Sequence, residues 1–274
     1  MTRATWIVAL LFGCSVVACG GESESNGGSG GGTQTGPLCD GSDSIRFLLT
    51  SGGGYVEPEY SFTSPYGSTY LVVTGKCEAY VAGDYMTGVR VATLSEVQAE
   101  TFASDVRLSK IASWKDHEDQ GCPDAGRNSI SDGKSFAWCS CGCDPDAPAG
   151  LEAAQDGAFS WHTTLLAQGE PIGGPLAAAA NADTSPAPNV TPVPWPLAWP
   201  VSSLPATNAG KAGKRVEGAD ADELRELRTE ATLSGTYLDY IPVQSTGTER
   251  HRVYARDELP DALTAALDAL LATK

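Results

Sequence analysis

A short apolar segment near the start of the chain constrains how the rest can fold. Arg3 supplies a single positive charge, and Trp6–Val17 is mostly apolar. A membrane-spanning helix needs about 20 apolar residues, so this run is too short to be one. Its length and charged start are typical of a secretory signal peptide. We therefore expect residues 1–18 to be a signal peptide that is removed, and the later cysteines to meet an oxidising compartment.

The end of this segment carries a second signal. Small residues precede a cysteine in Val16-Val17-Ala18-Cys19. This junction resembles the lipobox of bacterial lipoproteins, whose cysteine is lipidated and becomes the new first residue. The resemblance covers residues 1–19 only, and it implies a protein of the cell envelope held in a membrane, the outer membrane being expected, by acyl chains on Cys19. Two alternatives are an ordinary signal cut nearby and a poorer lipobox at Cys14, which follows the bulky Phe12.

The next segment has no apolar side chain and so has nothing with which to form a core. Residues 20–36 are mainly glycine, serine and other small or polar residues. Such a chain behaves as a flexible coil with an end-to-end distance of roughly 20–25 Å. We therefore assign residues 19–36 to a lipidated cysteine and its tether.

The charge of the chain limits its partners. The formal net charge is −16 at pH 7, whereas nucleic-acid binding requires a basic face. Nucleic acid is therefore not expected as a partner, and attraction to anionic headgroups is not expected either. The remaining expectations are a membrane contact through the acyl chains and a protein or glycan of the envelope.

Six cysteines follow the anchor, and an even number in an exported protein predicts disulfides. They are Cys39, Cys77, Cys122, Cys139, Cys141 and Cys143. The first two flank a predicted β-meander and form the favoured pair. The last three alternate along the chain, so on a strand they would share one face, with neighbouring Cα atoms about 6.6–6.8 Å apart. That spacing is the outer limit for a direct bridge, so either the chain bends at Gly142 and two of them pair, or each takes a different partner.

The region 37–185 is expected to be an α+β domain. Ile45, Phe47 and Leu49 alternate, a weaker strand is expected over 55–62, and further strands are expected around Tyr70–Val73 and Cys77–Val81. Ser95 and Gln98 form a capping box for a helix with an apolar stripe, which would cover the meander. Asp132-Gly133 predicts a hairpin turn. The pattern over 149–168 fits a helix or a strand.

The remainder divides into a connector and a smaller unit. Residues 186–215 are proline-rich, which predicts a polyproline-like connector with Trp195 and Trp199 on its surface. Residues 216–274 predict a helix, a hairpin through 245–247 and a final helix that begins near Pro260 and bears a leucine stripe. The predicted fold is thus α+β: an antiparallel meander packed by a helix, a disulfide-stapled middle and a C-terminal helix–hairpin–helix subdomain.

Metal and catalytic motifs are weak. Four acidic residues cluster in one loop and are the calcium candidates: Asp116, Glu118, Asp119 and Asp124. The spacing departs from an EF-hand, because position twelve is Arg127 instead of Glu. Among the three histidines, His162 beside Trp161 is expected to be a packed residue and His251 to lie on an exposed strand. No cofactor is predicted.

These observations favour a non-catalytic, lipid-anchored envelope protein with a binding or structural role. No motif after residue 19 resembles a known family. The alternative is an exported thiol-redox or metal-dependent enzyme centred on Cys122 and Cys139–Cys143, with zinc as the metal. No residue is predicted to be catalytic from the sequence.

Overall fold

Four α-helices and two sheets make up the described part of the chain, so the predicted α+β class is confirmed. The computed structural model describes residues 37–52, 62–66, 68–82, 88–114, 126–140, 143, 146–186, 190–207, 213–233, 240–245 and 247–273. The helices are α1 (Glu96–Asp105), α2 (Leu151–Gln168), α3 (Ala219–Leu233) and α4 (Asp261–Leu271). Two 3₁₀ segments, Leu108–Trp114 and Val201–Ser203, accompany them.

Twelve strands belong to the described residues. They are β1 (Ile45–Gly52), β2 (Thr69–Thr74), β3 (Glu78–Ala82), β4 (Val89–Thr93), β5 (Arg127–Ser131), β6 (Phe136–Ser140), β7 (Glu170–Pro171), β8 (Leu176–Ala182), β9 (Val193–Pro194), β10 (Lys214–Val216), β11 (Ile241–Gln244) and β12 (Arg250–Asp257). The first sheet has the order β6-β5-β1-β2-β3-β4-β7 and the second the order β10-β8-β12-β11-β9. All neighbours are antiparallel except β9 and β11, which run parallel.

The predicted meander is β1 to β4, and its first strand, β1, lies between β5 and β2 and is covered on both faces. Phe47 and Leu49 point to one face and Ile45 and Leu48 to the other, and all four are buried. A strand covered on both faces has no need of alternating polarity. This explains why the run Ile45–Leu49 is almost continuously apolar. The strand predicted over 55–62 lies outside the described residues, apart from Phe62.

One face of the first sheet is covered by α1 and α2. The capping box that begins α1 is confirmed, since Gln98 N donates to Ser95 Oγ at 3.3 Å and Ser95 N donates to Gln98 Oε1 at 3.0 Å. Phe102 of α1 packs edge-on against Phe47, with ring centroids 5.0 Å apart. Residues 149–168, whose pattern fits either a helix or a strand, contain the long helix α2.

The other face of the first sheet is covered by the C-terminal helix. The leucines of α4 (Leu263, Leu267 and Leu270) are buried with Leu48 and Val72. The predicted helix–hairpin–helix order is therefore present, but its two helices pack on different sheets. Whereas α4 covers the first sheet, α3 packs on the second, where Leu224 of α3 and Val253 of β12 belong to one core.

The proline-rich segment is also part of the second sheet's core. Val201 and Leu204 are buried, and Trp195 and Trp199 are half-buried with edge-to-face rings 5.1 Å apart. Trp195 Nε1 donates to the Trp199 carbonyl at 2.6 Å, and Trp199 Nε1 donates to Asp220 Oδ2 at 2.8 Å. The indoles were expected to lie on the surface, and they are only half-exposed, because their N–H groups are hydrogen-bonded and their rings pack against the second core.

A buried carboxylate joins the two sheets. Asp257, at the end of β12, is 2% exposed, and Arg225 Nε donates to its Oδ1 at 2.9 Å. Arg228 Nη2 and the Val89 amide donate to its Oδ2 at 2.8 Å and 3.1 Å. We call Asp257, Arg225, Arg228 and the Val89 amide the Asp257 clasp. It connects α3 and the second sheet to β4 of the first.

Two disulfides staple the described residues. The favoured pair, Cys39–Cys77, is confirmed, with Cα atoms 5.1 Å apart. Cys139 and Cys143 form the second, with Cα atoms 5.0 Å apart, so the chain bends after β6 and two of the three alternating cysteines pair. The predictions for Cys122 and Cys141 lie outside the described residues.

The two disulfides should differ in their contribution to stability. The Cys39–Cys77 bridge closes a sequence separation of 38 and Cys139–Cys143 a separation of 4. Chain-entropy arguments then give about 4 and about 2 kcal/mol. Replacing Cys39 and Cys77 together by alanine should lower the free energy of unfolding, measured with urea, about twice as much as the same change at Cys139 and Cys143. Equal losses would contradict this ordering.

Removing the carboxylate charge of the Asp257 clasp should be strongly destabilising. Asp257→Asn leaves two largely buried guanidinium groups without their counter-ion, and breaking a buried pair in this way costs about 3–5 kcal/mol. The matched control is Asp222→Asn, since the Asp222 side chain is 75% exposed and also contacts Arg225. It should change the free energy of unfolding by less than about 0.5 kcal/mol. Urea denaturation measures the free energy of unfolding of both variants. Similar losses in the two variants would show that the clasp contributes no more to stability than an exposed ion pair does.

Candidate functional site

A cleft of about 180 Å³ opens beside the Asp257 clasp. Its walls come from the loop before β2, the end of β12 and the first turns of α4. Its polar lining includes two arginines, two tyrosines and several acidic and hydroxyl side chains: Thr63, Ser64, Tyr66, Tyr70, Arg228, Arg256, Asp257, Glu258, Asp261, Thr264 and Asp268. The site therefore lies where the second sheet passes into the helix that covers the first.

The local sequence explains how these side chains meet. Side chains alternate along a strand, so Asp257 points to α3 while Arg256 points to the opposite face, where its guanidinium lies 4.9 Å from the Phe62 ring centroid. On α4, Thr264 and Asp268 are four residues apart and so share one face of the helix. That polar face adjoins the buried leucine stripe.

Arg256 is one of two arginines that line the cleft, and unlike Arg228 it does not belong to the Asp257 clasp. Its Nη1 donates to the Phe62 carbonyl at 2.7 Å. Burial lowers the pKa of Arg256, and the nearby Glu258 carboxylate opposes that shift. An arginine stays protonated in proteins, so the lowered pKa marks a guanidinium that has lost part of its hydration. A charge in this condition interacts strongly with a polar ligand.

Two tyrosines supply hydroxyl groups and an aromatic edge. The rings of Tyr66 and Tyr70 pack edge-to-face, with centroids 5.7 Å apart. Burial is the main cause of a raised pKa for both phenols. A nearby negative charge raises the pKa further, from Asp268 for Tyr66 and from Asp257 for Tyr70. Both phenols are therefore protonated at neutral pH and are able to donate hydrogen bonds.

Glu258 adds a carboxylate that is already engaged. Its Oε2 is buried and forms an ion pair with Arg215 Nη1 at 3.2 Å. The side chain as a whole is 24% exposed.

The cleft thus combines donors and acceptors in one small space. Arg256 and the two phenols donate, and the carboxylates of Glu258 and Asp268 accept. This lining suits a small polar ligand with a few convergent hydrogen bonds, the usual arrangement of binding sites. Among the described residues, no group of three or more histidine, cysteine or acidic side chains is placed to hold a metal.

The residues that the sequence singled out lie elsewhere. Cys19, Cys122, Cys141 and the calcium candidates Asp116, Glu118, Asp119 and Asp124 are outside the described residues. Cys139 is wholly buried in the core that covers one face of the first sheet and is bonded to Cys143. Trp195 and Trp199 belong to the second core.

The two histidines within the described residues are both packed. His162 is buried as predicted, with Nε2 2.7 Å from the Ala82 carbonyl oxygen, and burial lowers its pKa. His251 was predicted on an exposed strand, but its side chain is only 15% exposed. Neither lines the cleft.

Sequence reasoning missed the cleft. The available signal was the charged run Arg256-Asp257-Glu258, which directly follows the apolar strand residues Val253–Ala255 and precedes Pro260. Charges at the junction of a buried strand and a helix are candidates for a site, since such junctions lie at the edges of packed layers.

No family model, curated protein or solved structure matches this chain. Within the part of the chain that the structure describes, no helix combines the length and apolar character required to cross a bilayer. The function must therefore follow from the chemistry of the residues themselves.

Proposed function

We propose that this chain is a lipid-anchored protein of the bacterial cell envelope that acts by binding. Acyl chains on Cys19 hold it at a membrane, and residues 20–36 tether the α+β domain to that anchor. The binding site is the cleft beside the Asp257 clasp. The role is binding of a small polar ligand, or of one small part of a larger one, without chemical change.

One observation carries the binding half of this proposal: basic and acidic side chains, among them Arg228, Arg256, Glu258 and Asp268, converge on one cleft of about 180 Å³. A concave site with a few convergent polar groups is the usual arrangement of a small-ligand site.

The alternative, a thiol-redox enzyme, has less support from the same structure. A redox-active cysteine needs an accessible thiolate in electropositive surroundings. Cys139 is fully buried, and the Cys143 sulfur lies 3.6 Å from Gln155 Oε1 of α2. This bridge therefore has the surroundings of a structural staple.

The anchor is tested by replacing its cysteine. Cys19→Ser should move the protein from the membrane fraction to the soluble fraction, because the acyl chains would no longer be attached. Mass spectrometry of the wild-type protein should find an acylated Cys19 at the N-terminus. Cys14→Ser is the matched control and should leave the anchor unchanged. Unmodified Cys19 with Met1 retained would overturn this half of the proposal.

The binding half is tested by thermal stabilisation of the full chain against a panel of sugars, amino acids and small organic acids. A ligand that binds only the folded state raises the midpoint temperature of thermal unfolding. At a ligand concentration of 100 times its Kd, the gain in the free energy of unfolding is about 2.7 kcal/mol. Tyr66→Phe and Asp268→Asn should weaken the effect of any active compound. Asp156→Asn on α2, an exposed aspartate on the other side of the first sheet, should not. A compound that raises the midpoint of both cleft variants as much as that of the wild type binds elsewhere.

A further inference from the structure

The second sheet ends in a strand in which proline alternates with apolar residues. In the part of the chain that the structure describes, β9 is the last strand of this sheet, and it pairs in parallel with β11. The sequence around β9 is Pro192-Val193-Pro194-Trp195-Pro196. Pro194 and Pro196 are exposed. The edge of the second sheet is therefore formed by a stretch in which every second residue is a proline.

The hydrogen bonds of β9 show which way its backbone faces. Trp195 N donates to the Gln244 carbonyl of β11 at 3.0 Å. Backbone groups of successive residues in an extended strand point to opposite sides, so Val193, which pairs with β11, faces the same way as Trp195. The backbone nitrogens that face the open side of the sheet belong to Pro192, Pro194 and Pro196.

The open side of this edge lacks the donors that a further strand would need. A proline nitrogen carries no hydrogen, so it cannot donate. A strand that adds to a sheet forms a ladder in which both strands supply N–H and C=O groups. Between residues 192 and 196 the open side offers carbonyls but no N–H group. Prolines placed in this way are one of the means by which sheet edges avoid pairing with another chain.

The alternate residues keep the same strand attached to the sheet. The side chains of Val193 and Trp195 pack against the second core, while their N–H groups face β11. The opposite edge of the second sheet is short as well: β10 has three residues, and two of them are the basic Lys214 and Arg215. Short and charged edge strands also discourage strand addition.

We infer that the stretch 192–196 closes the edge of the second sheet against strand addition by a second copy of this chain. The inference is independent of the proposed binding function, because none of these residues lines the cleft. Copies tethered to one membrane would meet at a high effective concentration. A closed edge would keep such copies from pairing through their sheets.

The test restores the missing donors. In the triple variant Pro192→Thr, Pro194→Thr and Pro196→Thr, each position regains an N–H group and receives a residue that favours strands. Sedimentation velocity measures self-association of the full chain over a range of concentrations, in a polyoxyethylene detergent whose density matches that of the buffer. The Kd of self-association should fall about tenfold or more relative to the wild type, because new hydrogen bonds form between copies.

Two controls separate the donors from a general effect of losing proline. Pro200→Thr changes an exposed proline that lies beyond β9 and precedes the 3₁₀ segment Val201–Ser203, and it should associate no more than the wild type does. The double variant Pro192→Thr and Pro196→Thr keeps the proline at 194, so it lacks the central donor and should associate less than the triple variant. Hydrogen exchange at the new amide of position 194 should become slower as the concentration of the triple variant rises.

A folded triple variant that associates no more strongly than the wild type would overturn the inference. Equal association of Pro200→Thr would also overturn it, because the position of the proline would then be irrelevant. Thermal melts check that each variant is folded. If the triple variant fails to fold, Pro194→Thr alone, which restores the central donor, is compared with Pro200→Thr, and the same two outcomes decide.

Discussion

The position of the two sheets depends on one buried carboxylate. Asp257 accepts hydrogen bonds from two arginines of α3 and from a backbone amide of β4, so both of its oxygens are occupied. Buried ions are tolerated only with such complete pairing. The backbone is adapted to this contact as well: Gly88 has φ +68°, and a Cβ there would meet Arg228 and Asp257. The clasp therefore requires a glycine next to the strand that it binds.

The cleft follows from the same strand end. Alternation along β12 sends Asp257 into the clasp and Arg256 to the opposite face, and the next residue, Glu258, begins the turn into α4. Because α4 leaves the second sheet to cover the first, its polar face stands across from Arg256. The site is thus a consequence of how one helix crosses between layers, and its charges are held by packing that the clasp and the α4 leucines determine.

Local features of the fold were predictable, and the site was not. The Ser95–Gln98 capping box, the Leu263–Leu270 stripe and the Cys39–Cys77 pair depend on short spacing or on strand order, which the sequence displays directly. A leucine stripe shows that a helix has an apolar face but not which sheet it covers. Likewise, Arg256-Asp257-Glu258 has the composition of a solvated charge run, and its role emerges only when β12 pairs with β8 and α4 docks on β1. The half-burial of Trp195 and Trp199 depends on the same long-range packing.

The proposed anchor and the proposed binding cleft are physically compatible. A cleft of about 180 Å³ buries little ligand area, so its intrinsic affinity for a free small ligand is expected to be weak. If acyl chains fix the protein to a surface through a tether of roughly 20–25 Å, a ligand on the same surface is met at a high effective concentration, which offsets weak individual contacts. The formal charge of −16 would at the same time disfavour contact with anionic headgroups. A small cleft is therefore better suited to a tethered domain than to one that must find its ligand in free solution.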